Sequence, residues 1–592
     1  MSEATVTGRR SKRVSIRFRD GKRARRAVTI GVILTAAVLL VPRASASASG
    51  VAFSAPTFVD TAKAGGEPSI AHSDKFGNLI YTSHEGDTHI DRIGAGGTGS
   101  IVQFLCPSAP TVDCAKNEVW IWTSDDQGQT WQARSHPLAQ QGFSDPDLTQ
   151  DASGAVYDTG IDLANDSVFS SLDGGKTWPN GTTQCHEGDR PWLAGGKAGE
   201  LFMSTDTSDN GHEVFYSKDY GNTCSSTGII DNGTVATCPA GSANTSATYS
   251  GFGKLVYDPY DGSIIEPAQF NNCDGSFGVG ISRLPNAADA FNGGGEVFHP
   301  VEVVSHTSVY SPFGAPEVLS MDSAENIYFA WDTDDRQPGT SGGCSSTVPN
   351  ASGGMNGNPT PLPNKIEFVA GKLHGAHGSG QWDFTSAINL ANQGNARVLW
   401  PWSVAGSNGN VSVVWYQMDK LVDPDCDSIN GNGAPPPTPG SGAVPDVKTY
   451  IYESHIMNAT DPPTRSILGP TNASGRFIHE GGICDSGTTC VATGQDRRLG
   501  DYFTNSVDKF GCVIIASGDT TVLDSLTQQP RITSLPIFMK QTSGPSLTTG
   551  QDCATLEAAV PESSWVPALL GAAVVGIGVT ALRRRKRRFA AA

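Results

Sequence analysis

Hydrophobic and polar positions alternate along this chain in short bursts. Each burst is a strand-length run, a turn built on Asp or Gly, then a second run rich in β-branched and aromatic residues. The unit occurs at 68–83 (PSIAHSDKFGNLIYTS), 145–159 (DPDLTQDASGAVYDT), 190–204 (RPWLAGGKAGELFMS) and 253–267 (GKLVYDPYDGSIIEP). It recurs at 315–331 (APEVLSMDSAENIYFAW), 399–415 (LWPWSVAGSNGNVSVVW) and 501–517 (DYFTNSVDKFGCVIIAS). Seven units spread over roughly 500 residues leave about 70 residues for each, enough for a four-stranded sheet with generous loops. Helical patterning is nearly absent between them. The expected fold is therefore all-β: a β-propeller, seven blades first and six as the alternative if one unit is an insertion. Segments 333–364 and 422–447 are long, rich in Gly and Pro and poor in apolar residues, and are expected to be surface loops of blades five and six.

The ends of the chain read differently. Residues 9–26 are strongly basic, 27–41 are apolar, and 44–48 (ASASA) supply small residues, which predicts a secretory signal over 1–50. Residues 565–582 form an apolar run followed at once by RRRKRR at 583–588, as expected of a single-pass anchor with a cytoplasmic basic tail. The expected organisation is a signal (1–50), a propeller (51–541), a linker (542–564) and an anchor (565–592). This places the propeller outside the cell and the C-terminus in the cytoplasm.

Removing the ends changes the charge. Residues 51–582 carry 24 Lys and Arg against 57 Asp and Glu, a net charge of −33, where the whole chain carries −18. Such a body repels nucleic acid and anionic lipid. All 12 cysteines lie in it, an even count that predicts disulfides in an exported protein. Cys106/Cys114 and Cys484/Cys490 are spaced to staple single loops, and Cys344 and Cys426 to join two long ones. No cysteine spacing suits zinc, and no metal ligand set is read from the sequence. The acidic surface leaves room for a structural Ca2+ and for no other cofactor.

Three stretches share the spacing S-x-D-x-G-x-T-W. They contain Ser124, Asp126, Gly128 and Trp131; Ser171, Asp173, Gly175 and Trp178; and Ser217, Asp219 and Gly221, where Cys224 replaces the Trp. An Asp near a Gly in a tight turn can hydrogen-bond its own backbone, Gly takes φ > 0, and the Trp covers the hairpin. These stretches resemble the Asp box, or BNR repeat, of the sialidase superfamily. That resemblance implies a propeller with the boxes on the outer part of each blade, away from any active site.

In a propeller the first strand of each blade lines the central channel, so the residues opening those strands are the candidates for chemistry. They are Glu67, Asp145, Asp147, Asp189, Arg190, Glu317, Arg397, Asp496, Arg497, Arg498 and Asp501. Of these, Glu67, Asp147, Asp189, Arg190, Glu317, Arg497 and Asp501 are expected to bind ligand. A His-Glu-Gly sequence also recurs, at His84, His186 and His479, and could reach the same face. The family resemblance implies three arginines for a substrate carboxylate, an Asp acid/base and a Tyr–Glu nucleophile pair. This chain lacks the Arg-Ile-Pro that normally carries the first arginine. Arg190, Arg397, Arg497, Tyr502 and Asp189 are the catalytic candidates on position alone. The expected function is a cell-surface propeller binding a glycan or protein ligand, with an exo-α-sialidase-type hydrolase as the alternative and a structural surface protein third.

Overall fold

The computed structural model describes residues 50–85, 118–135, 144–162, 165–182, 185, 188–207, 211–251, 253–308, 318–333, 365–391, 396–407, 409–420, 447–483, 496–523, 531 and 533–558. Seven antiparallel sheets follow one another along the chain, and each contains one of the seven repeat units. The chain is a seven-bladed, all-β propeller. Blade 1 shows the plan: Gly66–His72 innermost, then Leu79–Glu85, Glu118–Ser124 and Gln132–Arg134. Blades 2 and 3 repeat it, starting at Leu148–Gln150 and Asp189–Gly195. Blades 5, 6 and 7 start at Val318–Met321, Val398–Ala405 and Thr504–Val507.

Blade 4 departs from the plan. Its inner strand is broken into Ser246–Gly251 and Val256–Tyr257, both pairing with Ile264–Asn271. An extra strand, Asn232–Thr237, pairs with the first piece, and the Cys238–Cys273 disulfide ties this hairpin to the blade.

Blade 7 is closed by the other end of the chain. Its third strand, Leu535–Ser543, pairs on its outer edge with Ala52–Phe53 and Thr57–Phe58. This covers an edge that would otherwise expose unpaired backbone groups. The expected linker does not begin at Thr542. Residues 542–558 fold back onto the propeller: Leu547 is buried, Cys553 opens a short helix (Cys553–Ala558), and a disulfide joins Cys553 to Cys512. Polar composition suggested a linker; one disulfide and one buried leucine outweigh it.

The apolar core lies between blades. The largest cluster joins blades 5, 6 and 7 through Tyr328, Phe368, Trp402, Trp415 and Phe503. Aspartates in the turn after the inner strand add polar ties. Asp151 of blade 2 accepts from the backbone N–H of Gly199 of blade 3 (2.7 Å), and Asp322 of blade 5 accepts from Gly409 of blade 6 (2.8 Å).

All three S-x-D-x-G-x-T turns link the third strand of a blade to the fourth, and they share one bonding pattern. In the second, the Ser171 hydroxyl donates to Asp173 (2.8 Å), and Asp173 accepts from the N–H (2.8 Å) and hydroxyl (2.7 Å) of Thr177. Gly175, at φ 81°, donates to the Ser171 oxygen, a conformation that favours Gly. Trp178 is buried, whereas Trp131 packs edge-on against Tyr81 and Phe538. Cys224, where the third Trp would stand, is disulfide-bonded to Cys185.

No helix among the described residues is long and apolar enough to cross a membrane. The expected signal, the expected span at 565–582, and Cys106, Cys114, Cys344, Cys426, Cys484 and Cys490 lie outside the described residues.

Candidate functional site

The starts of the inner strands and the ends of the second strands share one face of the propeller. The pairing Gly66↔His84 lies at that end of blade 1, and Leu79↔Ser124 lies at the other, so the S-x-D-x-G-x-T turns occupy the opposite face.

Four strand starts carry the same anomaly. Glu67, Asp145, Arg190 and Trp400 have φ of 43°, 52°, 63° and 50°, and each is followed by proline. Left-handed backbone is costly for these side chains, and proline further restricts the residue before it. Such strain persists only where surrounding bonds overdetermine it. Here neighbouring blades supply the bonds. The Glu67 carboxylate of blade 1 accepts from the N–H groups of Asp145 (3.0 Å), at the start of blade 2, and Asp501 (2.9 Å), at the start of blade 7. Asp145 in turn accepts from the N–H of Arg190 at blade 3 (3.2 Å). Asp332 of blade 5 accepts from the N–H of Trp400 at blade 6 (3.1 Å). Carboxylates thus relay the strand starts from blade 7, which is unstrained, through the strained starts of blades 1 and 2 to that of blade 3.

Charged side chains fill in around this relay. Arg497 lies 2.6 Å from Asp501 and 3.9 Å from Glu67, and Arg190 lies 3.8 Å from Asp501. His84 contacts the other oxygen of Glu67 at 3.1 Å. Ser144 donates to Asp145 (2.8 Å) and lies 3.2 Å from Glu67. Burial, with the nearby charges of Glu67 and Asp189, holds the Asp145 carboxyl well above the usual carboxylate range. Burial also raises Asp501, against the lowering effect of Arg497. Arg497 is held charged: burial opposes the charge, but Asp501 and Glu67 outweigh it. Beneath lies an aromatic floor, with Tyr502 4.9 Å from Trp192 and 5.7 Å from Trp402, centroid to centroid.

The structure therefore brings Glu67, Arg190, Arg497 and Asp501 together with two further sequence candidates, Asp145 and His84, and it adds Ser144. Asp189 is exposed beside them. Asp147 points elsewhere, accepting from the N–H of Leu193 (2.9 Å) and from the Lys254 ammonium (2.5 Å), and serves as a channel tie. Arg397 opens blade 6, where its main chain bonds Met418 and Lys420. Tyr502 gives its hydroxyl to the carbonyl of Pro146 (2.7 Å). Asp496 and Arg498 pair with each other at 2.6 Å. Glu317 and His186 lie outside the described residues. His479 does not join His84; it bonds Thr520 (2.8 Å) and the Gly482 carbonyl (2.9 Å). The X-Pro dipeptides at Glu67, Asp145, Arg190 and Trp400, a repeat that the choice of candidates did not use, are a sequence signal that could have marked this ring. Among the described residues, no group of three or more His, Cys, Asp or Glu is arranged to hold a metal ion.

A second acidic group lies towards blades 3 and 4. His212 sits between Asp206 (2.7 Å) and Glu266 (3.0 Å). Burial pushes Asp166 up to about 8; the Thr205 hydroxyl lowers it, and Asp189 and Asp206 raise it. A buried carboxyl raised in this way stabilises the fold most below its unfolded value of about 4, and that contribution is lost as pH rises towards 8. Asp166→Asn is therefore expected to stabilise the protein at pH 8 by about 2–5 kcal/mol and to change little at pH 4. Urea unfolding at the two pH values checks this; equal effects at both would contradict it.

No family model matches the sequence, and no curated protein does. Solved structures similar to the chain carry varied descriptions. A polysaccharide lyase described as an ulvan lyase is 10% identical, with 87% of this chain and 100% of that one covered and a TM-score of 0.39. The intramolecular trans-sialidase from Ruminococcus gnavus, in complex with oseltamivir carboxylate, is 13% identical over 61% of this chain and 92% of its own, with a TM-score of 0.33. A fungal alcohol oxidase in complex with copper is 11% identical over 83% and 77%, with a TM-score of 0.40. The propeller assignment rests on the seven sheets themselves.

Proposed function

We propose that the protein is a surface-displayed propeller that binds a glycan at the face formed by its inner-strand starts. One observation carries this reading: four strained strand starts and a buried Glu67–Asp145–Arg190–Arg497–Asp501 network converge on one face. Strain and buried charge are retained together where a rigid, pre-set polar surface is needed. Exposed Asp189 would offer an acceptor to sugar hydroxyls, with the buried Arg190 guanidinium directly behind it. In this reading the N-terminal signal exports the domain and the C-terminal segment anchors it, so that nucleic acid is not a partner.

The exo-sialidase reading is weaker on geometry. It needs arginines turned to a substrate carboxylate and a Tyr paired with a Glu. Arg497 is instead engaged by Asp501, and Tyr502 donates to a backbone carbonyl. A glycan array probed with the full-length protein tests the proposal. Binding to at least one carbohydrate class is expected, with at least a tenfold loss in Asp189→Asn and Arg190→Ala. Release of fluorophore from a fluorogenic sialoside, abolished in Arg190→Ala and Arg497→Ala, would favour the hydrolase instead.

A further inference from the structure

A cavity of about 630 Å³ lies far from the mouth, on the side of the S-x-D-x-G-x-T turns, where the two ends of the propeller chain meet. Its walls come from three places. The turn of blade 1 contributes Asp125 to Gln129. Blade 7 contributes Lys509, Phe510 and Phe538, and the closing N-terminal segment contributes Ser54 and Thr57.

The chemistry of these walls is specific. Phe510, half-buried, supplies aromatic surface, while the Phe538 ring is buried beneath Gly128, which at φ 91° has no Cβ to strike it. The charges are largely cancelled among themselves: Lys540 bridges Asp508 (3.0 Å) and Glu557 (2.6 Å), and Asp125 pairs with Lys176 (2.9 Å). Hydroxyls of Thr57 and Thr542 donate to the carbonyls of Phe538 and Ala52, so each oxygen keeps lone pairs for an outside donor. The Gln129 amide is exposed on the rim. The frame is stiff, since the Ser124–Thr130 turn is locked through Asp126 and blade 7 is stapled by Cys512–Cys553. An anion would find Lys540 already paired with two carboxylates and only Lys509, exposed and 5.0 Å from the Phe510 ring centroid, to meet it; an apolar ligand would strand the amides and hydroxyls. A half-buried ring flanked by neutral donors and acceptors suits the C–H face and hydroxyls of a pyranose.

We infer that this cavity is a second carbohydrate site, holding one or two pyranose units of a neutral glycan, separate from the mouth. The test uses the full-length protein in detergent and three probes: cellohexaose, chitohexaose and hexagalacturonate. Isothermal titration gives affinity and stoichiometry for wild type, for the Phe510→Ala/Gln129→Ala double variant and for Arg190→Ala. Phe510 holds its turn through backbone groups, which the substitution keeps. The expected result is a neutral hexasaccharide binding event that falls at least tenfold in the double variant and persists in Arg190→Ala. This result stands whether or not the mouth binds glycan. Undiminished binding in the double variant, loss only in Arg190→Ala, binding of hexagalacturonate alone, or no binding of any probe would each overturn the inference.

Discussion

Glu67→Ala is expected to be the most damaging single substitution at the mouth, costing about 3–5 kcal/mol and abolishing ligand binding there. The Glu67 carboxylate lies within 3.2 Å of the Asp145 and Asp501 N–H groups, the Ser144 hydroxyl and His84. Truncation leaves those donors buried without their acceptor, and it leaves Asp501 as the nearer carboxylate facing Arg497. The loss therefore exceeds that of an ordinary hydrogen bond, which contributes about 1 kcal/mol. Two companion variants separate charge from strain. Glu67→Gln keeps an acceptor oxygen and is expected to recover part of the stability. Glu67→Gly relieves the left-handed backbone but keeps no acceptor, and is expected to remain near Glu67→Ala. Denaturant unfolding of the three decides the matter. A Glu67→Gly protein as stable as wild type would show that strain, and not the polar relay, dominates at this position.

The second large effect concerns closure. Removing residues 51–60 is expected to destabilise the propeller by roughly 5 kcal/mol or more, counting about 1 kcal/mol for each lost hydrogen bond. The segment donates the Ser54 N–H to Lys540 (2.8 Å), the Val59 N–H to Pro536 (2.9 Å) and the Thr57 hydroxyl to Phe538 (3.3 Å), and its Asp60 carboxylate accepts from the Trp122 indole N–H (3.1 Å). It also pairs with the outer edge of Leu535–Ser543. Without it, that edge is open and invites association between chains. Light scattering and thermal unfolding of the truncated protein test this, and a synthetic peptide of residues 51–60 is expected to restore part of the lost stability in trans. An unchanged unfolding midpoint would show that blade 7 closes without the N-terminal strand.

Much of the architecture is legible in the sequence because it is periodic. Seven strand–turn–strand units correspond to the inner halves of seven blades, and the three S-x-D-x-G-x-T turns lie after third strands. Closure is not periodic. Ala52–Phe53 and Thr57–Phe58 are too short to show alternation, and their partner lies about 480 residues away, so only tertiary pairing reveals them. The extra strand of blade 4 and the folding back of residues 542–558 are hidden for a similar reason: each is tied down by a disulfide whose partners sequence spacing does not identify.

The site divides along the same line. Placing Glu67, Arg190, Arg497 and Asp501 on one face needs only the rule that inner strands line the channel. It does not tell which of the charged starts meet. Asp147 is the same residue type two positions beyond Asp145, a spacing that regular strand alternation would leave on one face, but the left-handed backbone at Asp145 and the Lys254 ammonium turn it to a different task. Arg397 and Tyr502 are likewise at suggestive positions with main-chain partners. The relay through Asp145 depends on backbone N–H groups, which no pattern of side chains displays, although the X-Pro dipeptides mark where it runs.

The central claim is that the mouth, and not merely some part of the surface, receives the glycan. Crystals of the protein soaked with the tightest-binding oligosaccharide from the array test it most directly. Sugar density within hydrogen-bonding distance of Asp189 or Arg190 is the result expected. A fully occupied sugar found only elsewhere, with the Glu67–Asp145–Asp501 network untouched and the mouth empty, would contradict it.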